Sequence, residues 1–196
     1  MLIRIFKFWQ QMRWGSILSL SGLLLCSLYS YSVHAQEKKL PVVSHVELDK
    51  YLGLWYEVAR KPIYFQQQCI QNVTARYTLN ENGNVVVDNR CEDDEAKEKR
   101  SVGEAFVINQ PYNSKLRVSF IPEAIRWLPV GRGDYWILKI DKTYQMALVG
   151  EPHRKYLWVL SRDPKPNPHV LSEYLKYASS LGYQLDDVIY TKQSHP

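Results

Sequence analysis

The chain lacks a Gly-x-Ser-x-Gly nucleophile elbow, a His-Glu-x-x-His zinc pair and a glycine-rich phosphate loop. The familiar motif-borne routes to acyl hydrolysis, zinc hydrolysis and phosphoryl transfer therefore have no foothold in it. Histidine is sparse and scattered: His34, His45, His153, His169 and His195 fall in unrelated segments, with no spacing suited to metal ligation or paired acid–base work. No charge run is long and purely basic. The run 92–100 mixes Glu92, Asp93, Asp94 and Glu95 with Lys97, Lys99 and Arg100, which excludes a nucleic-acid stripe and suits a solvated loop. No acidic residue occurs among residues 1–35 either.

That last absence is informative. Residues 1–35 hold Arg4, Lys7 and Arg13, then an apolar run from Ile17 to Leu28, then Val33-His34-Ala35. The run is too short for a comfortable membrane span, and small residues stand where a signal peptidase reads, so 1–35 is expected to be a signal peptide cut after Ala35. Cys26 invites the alternative of a lipidated cysteine. The residue before it, Leu25, is too large for such a site, so lipidation at Cys26 is the less favoured reading; either one exports the chain to the periplasm or the outer membrane. Once the leader is removed, 22 basic and 20 acidic side chains remain, a net charge of only +2.

What is present in quantity is aromatic: 14 Tyr, 6 Trp and 5 Phe among 196 residues, a composition suited to strands and apolar cavities. Strands are expected at about 54–60, 70–80, 84–91, 101–109, 115–121, 133–141, 144–150 and 155–162. Their joints carry turn chemistry, such as Asn82-Gly83, Asn109-Gln110-Pro111, Gly131-Arg132-Gly133 and Glu151-Pro152. Alternation on Val73/Ala75/Tyr77/Leu79 and Leu116/Val118/Phe120 gives each strand one apolar face. Eight consecutive strands with short links favour an all-β, up-and-down antiparallel barrel with room for one small ligand, a two-sheet sandwich being the alternative.

In Tyr51–Arg60 (YLGLWYEVAR), Gly53 marks a close backbone approach at the start of a strand, and Trp55, Glu57 and Ala59 are expected to share its inward face. Cys69 and Cys91, an even pair in an exported chain, flank the first hairpin and are expected to form a disulfide across its open end. Counting from the turn does not set them opposite one another, so a bulge or a flexible end is needed to bring them within bonding range. Asn167-Pro168 reads as a cap and first helical residue; Leu171, Tyr174, Leu175, Ala178 and Leu181 recur at helical spacing, and Gly182 stops the run. This predicts a C-terminal α-helix packed outside the barrel. The segment 185–190 is a candidate short strand.

Three ordered motifs then carry a resemblance: Gly53-x-Trp55-Tyr56-Glu57, Asp134-Tyr135-Trp136-Ile137-Leu138 with Asp141 and Tyr144, and Trp158-Val159-Leu160-Ser161-Arg162. Together they resemble the lipocalin family over roughly residues 46–192, and within it the bacterial outer-membrane group related to apolipoprotein D. The chain thus divides into 1–35 (leader), 36–45 (N-terminal segment), 46–192 (lipocalin domain) and 193–196 (tail). The resemblance implies that Trp55 closes the barrel floor and that Arg162 packs across its indole, both structural roles.

With the Asn82-Gly83 turn at that floor, the mouth is framed by loops 61–69, 91–100, 122–132 and 151–154. Trp127 and Leu128 would be costly ornaments on an exposed rim, so they either cover the mouth or touch a membrane surface or a second copy of the chain. Inward-facing Tyr77, Phe120, Tyr135 and Trp158 are the expected ligand-binding residues. Glu57 serves either as a hydrogen-bonded wall residue or as a contact to a ligand's polar part. The expected function is binding, storage or transport of a small hydrophobic ligand, a fatty acid or lysophospholipid, with no metal, cofactor or nucleic acid. A lipid-modifying enzyme on the same barrel is the alternative.

Overall fold

The computed structural model describes residues 39–125 and 130–194; the leader, including Cys26 and Ala35, and Trp127 and Leu128 lie outside them. A one-turn helix α1 (Leu48–Tyr51) leads into β1 (Gly53–Arg60), then β2 (Gln71–Leu79), β3 (Val85–Glu92), β4 (Glu98–Val107), β5 (Lys115–Ser119), β6 (Arg132–Ile140), β7 (Met146–Gly150) and β8 (Leu157–Ser161). Helix α2 (Pro168–Ser180) and a two-residue strand β9 (Ile189–Tyr190) follow. Each strand pairs antiparallel with the next, and β1 pairs with both β8 and β2, so eight strands close into a barrel with no sheet alternative remaining.

Closure follows from a two-sided apolar pattern. Trp55, Tyr77, Val87, Ala105 and Ile137 point inward into one cluster. Leu138, Leu148 and Val159 point outward into a second, which α2 covers with Tyr174, Leu175 and Ala178. Every residue of β7 is buried, because the barrel interior takes one face and α2 the other. Asn167 caps α2 as expected, its side chain accepting the His169 N–H at 2.9 Å. Beyond the helix, the Tyr183 hydroxyl donates to the Glu151 carbonyl at 3.1 Å and accepts the Glu151 N–H at 3.2 Å. A Cβ on Gly150 would come within 2.1 Å of that oxygen, so only glycine lets the two approach.

Three local expectations change. Residues 98–100 belong to β4 rather than to a loop, because cross-strand pairs Arg90–Glu98 and Arg100–Asp88 let the charges sit on a wet strand face. The close approach at Gly53 (φ +95°) is to a side chain, not to backbone: a Cβ there would lie 3.3 Å from Arg162 Nη1. In β1 the register slips between Glu57 and Ala59, so Ala59 faces outward with Val58 while Arg60 joins Trp158 on the inner side.

That bulge leaves the upper halves of β1 and β2 unpaired with each other. Residues 189–193 fill the seam. β9 pairs with Ala59 and Arg60, Thr191 donates to the Val58 carbonyl at 3.2 Å, and the Asn72 N–H donates to the Lys192 carbonyl at 2.9 Å. The Gln193 side-chain amide reaches the carbonyls of Glu57 (2.8 Å) and Val73 (2.9 Å).

Candidate functional site

At the floor, Trp55 is wholly buried, its indole N–H donating to the Tyr51 carbonyl at 2.7 Å. The Arg162 guanidinium lies 3.8 Å from the centre of the indole. It donates to the carbonyls of Lys50 (2.9 Å), Tyr51 (3.2 Å), Leu52 (2.7 Å), Leu54 and Tyr144 (3.4 Å). A one-turn helix ends here with carbonyls it cannot satisfy itself, and a planar, permanently charged fork answers several at once.

Above Trp55 the barrel encloses a cavity of about 100 Å³, continued towards the mouth by a vestibule of about 450 Å³. Phe65, Gln66, Val73, Asn89, Val118 and Phe120 line both, and so mark where the two adjoin. The lower chamber is walled mainly by aliphatic and aromatic side chains, and its base carries three tyrosines. The Tyr51 and Tyr77 hydroxyls lie 2.7 and 3.0 Å from that of Tyr135. Burial raises the pKa of all three, that of Tyr77 to about 12, so each is a neutral phenol.

One wall is polar. Glu57 is 2% exposed and lines the chamber. Its carboxylate accepts from Gln66 Nε2 at 2.6 Å and from the Thr191 hydroxyl at 2.6 Å, and lies 3.3 Å from Arg60 Nε. Burial raises the Glu57 pKa, against the lowering effects of Thr191, Arg60 and Gln66. The Trp158 indole N–H donates to the other end of the Gln66 amide at 3.3 Å. Arg60 donates to the carbonyls of Gln66 (3.4 Å) and Cys69 (3.1 Å), while its buried Nε and Nη1 have no hydrogen-bond partner among the described residues.

Of the residues expected to meet a ligand, Glu57, Tyr77, Phe120, Tyr135 and Trp158 all line the chamber. Sequence reasoning missed Tyr51, Gln66 and Asn89, which line it too. Tyr51 arrives on α1, a turn too short to show periodicity; Gln66 sits on a 3₁₀ turn (Tyr64–Gln66) in what reads as a featureless loop. Asn89 was legible, two residues from Val87 on the inward face of β3, and was hidden only by its polarity.

At the mouth, Cys69 and Cys91 are joined, with Cα atoms 5.4 Å apart. Of the two ways to bring them together, a bulge or a flexible end, the bulge is present: the β2–β3 register shifts between Gln71 and Thr74, with Asn72 at φ +54°. Around the opening, Tyr64 (82% exposed), Phe65, Ile70, Ile125 and Val130 present apolar surface. Among the described residues no cluster of His, Cys, Asp or Glu is arranged to hold a metal.

Comparison with known proteins places these features in a family context. A sequence description of the lipocalin-like domain matches residues 46–193. Temperature-induced lipocalin-1 of Arabidopsis thaliana is 35% identical over 161 residues, covering 81% of this chain and 86% of that protein. Outer membrane lipoprotein Blc of Vibrio cholerae is 32% identical over 173 residues, covering 87% and 96%. Among solved structures, the cockroach major allergen Per a 4 superposes with a TM-score of 0.59 at 19% identity, covering 79% of this chain and 92% of that one, which shows a shared fold.

Proposed function

Because this chain belongs to the lipocalin family, a family of binding proteins for small hydrophobic molecules, we propose that its own ligand is a monoacyl lipid, a fatty acid or a lysophospholipid. The observation that carries this reading is the enclosed cavity with its adjoining vestibule. An apolar chamber that adjoins a larger vestibule suits one chain with a bulkier end. A sixteen-carbon chain offers about 12 kcal/mol gross at about 0.8 kcal/mol per methylene, and ordering and association costs reduce that to roughly micromolar affinity or somewhat better.

The setting we infer is the cell envelope. The basic, acid-free leader and the kinship with outer membrane lipoproteins both support export. Exposed Tyr64, Phe65, Ile70, Ile125 and Val130 ring the opening, so the mouth would rest on a membrane surface and let lipid pass between bilayer and barrel. The contacts of Glu57 to Gln66, Thr191 and Arg60 hold wall, mouth loop and seam together, which favours a binding role over a catalytic one for this carboxylate.

The test uses delipidated protein below the lipids' critical micelle concentrations. Saturable binding of palmitate and of a lysophospholipid is expected by calorimetry, with a parallel change in tryptophan emission. Trp158→Phe removes most of the emission change if that indole borders the acyl chain. Absence of saturable binding by both methods overturns the reading. Recovery of a chemically altered lipid would instead favour the enzyme alternative.

A further inference from the structure

The floor of the chamber holds a hydrogen-bonding imbalance. Tyr51, Tyr77 and Tyr135 bring three hydroxyl protons to one place, but only two hydroxyl–hydroxyl contacts exist, Tyr51 to Tyr135 at 2.7 Å and Tyr77 to Tyr135 at 3.0 Å. Among the described residues, no other acceptor is hydrogen-bonded to any of the three hydroxyls. A phenol donates one proton, so two contacts use two protons, and at least one O–H is left over however the network is oriented. Each oxygen also keeps accepting capacity. All three residues line the chamber, and the indole of Trp55 and the ring of Tyr51, 5.1 Å apart, close the space beneath them. The surplus donor therefore has one direction in which a partner can arrive, from the ligand side.

The geometry points to a ligand whose leading end, the end that reaches the floor, carries a neutral oxygen able to accept this hydrogen bond: a hydroxyl, carbonyl or ester oxygen in place of a bare methyl. The inference rests on the lipid-binding reading and deepens it. A buried polar donor without a partner is unfavourable, and a hydrocarbon terminus would leave the surplus O–H in that condition, whereas an oxygen would satisfy it. An ionised terminus is a poor match. One surplus donor meets a fraction of what a carboxylate requires, and the Arg162 guanidinium beyond Trp55 is already committed to backbone carbonyls. Burial also holds the three phenols neutral, so the network offers hydrogen-bond donors and acceptors but no charge. The ligand's larger or charged group is then left for the vestibule, and the long molecule carries polar groups at both ends.

Three probes that differ only at the far end decide the matter: palmitate (methyl), 16-hydroxyhexadecanoate (hydroxyl) and hexadecanedioate (carboxylate), titrated calorimetrically against wild-type full-length mature protein. In an apolar floor the added hydroxyl would weaken binding by about 5- to 150-fold. Here 16-hydroxyhexadecanoate is expected to bind at least as tightly as palmitate, and hexadecanedioate more weakly than either. The triple variant Tyr51→Phe/Tyr77→Phe/Tyr135→Phe removes donors and acceptors together and leaves no orphan, so its floor becomes apolar. Its affinity ratio of hydroxylated to plain chain should fall at least about tenfold below that of the wild type. Single substitutions are uninformative: Tyr51→Phe or Tyr77→Phe leaves two hydroxyls sharing one contact and still one proton over, and Tyr135→Phe, which removes the shared partner, leaves two.

A wild-type preference for palmitate of about tenfold or more overturns the inference, as does tighter binding of the dioate or an unchanged ratio in the triple variant. If the triple variant does not fold, the wild-type ranking of the three probes decides by itself. Failure of all three probes to bind sinks the lipid-binding reading itself; saturable palmitate binding with the wrong ranking sinks only the assignment of the floor.

Discussion

Two arginines stand at opposite ends of one barrel, and the contrast between them separates structure from use. Arg162 at the floor directs its N–H groups to five carbonyls and lays its plane over Trp55. It needs no carboxylate. Arg60 near the mouth is more deeply buried, faces one carboxylate, and still has two nitrogens without hydrogen bonds among the described residues. Around Arg162 the floor's groups hold one another in place; the mouth is held by a charge pair on one bulged strand, hydrogen-bonded to a 3₁₀ turn and a seam-filling tail. Selection for stability alone would replace such a pair with packed hydrocarbon. Its place beside a cavity fits a part of the molecule that admits and releases something.

If that contrast is right, the floor should fail hardest. Trp55→Ala is expected to lower the unfolding free energy by about 3 to 5 kcal/mol, and Arg162→Ala should overlap with it rather than add. Urea denaturation of the two single variants and the double variant checks this; strict additivity would mean that the stacking observed contributes nothing.

Next comes Arg60→Met, which should cost about 3 kcal/mol near pH 7 because Glu57 is left charged and unpaired. Here pH supplies a sharper test. Burial already raises the Glu57 pKa, so the stability linked to this group is greatest when it is protonated and declines as pH rises through its folded value. Removal of Arg60 raises that value further. The deficit of the variant should therefore shrink as pH falls from about 7 to below the ordinary 4.5 of a glutamate, and a deficit that does not vary with pH would show that Glu57 does not sense Arg60.

Replacement of Cys69 and Cys91 by serine should cost about 2 to 3 kcal/mol, and hydrogen exchange should rise around the mouth loop while the floor stays protected. Equal loosening at both ends would erase the distinction between floor and mouth. The smallest effect is expected on the outer wall. Asp88, paired there with Arg90 and Arg100, has a lowered pKa, caused first by the Arg100 hydrogen bond. Its contribution is thus present at neutral pH and lost as pH falls through the folded value, opposite in sign to that of Glu57. Asp88→Asn should cost at most about 0.5 kcal/mol and less in high salt, since Arg100 is half exposed.

The floor was far more legible in the sequence than the mouth, for a physical reason. Gly53, Trp55 and Arg162 sit in the short motifs that carried the resemblance and meet in one local arrangement, and period-2 alternation carries Tyr77, Phe120, Tyr135 and Trp158 inward without further information. The mouth depends on irregularity. One inserted residue in β1 turns Arg60 inward and Ala59 outward, and strict alternation predicts the reverse. Gln66 and Thr191 reach Glu57 from segments with no period at all, 9 and 134 residues away along the chain. An irregularity near Cys69, bulge or flexible end, was inferable because a disulfide makes a distance demand; no such demand announced the bulge at Val58.

The seam between β1 and β2 also has a consequence in time. An exported chain emerges N-terminus first, so β1 arrives early and the segment that completes its upper edge arrives after every other piece of the barrel; the wall stays open until the whole chain is across. Glu57 gains its Thr191 contact only at that late moment. Until then the interior is reachable from the side as well as from the top, and a lipid met early could be enclosed by the closing wall rather than threaded through the mouth. The order of emergence would then help decide which molecule the finished barrel first contains.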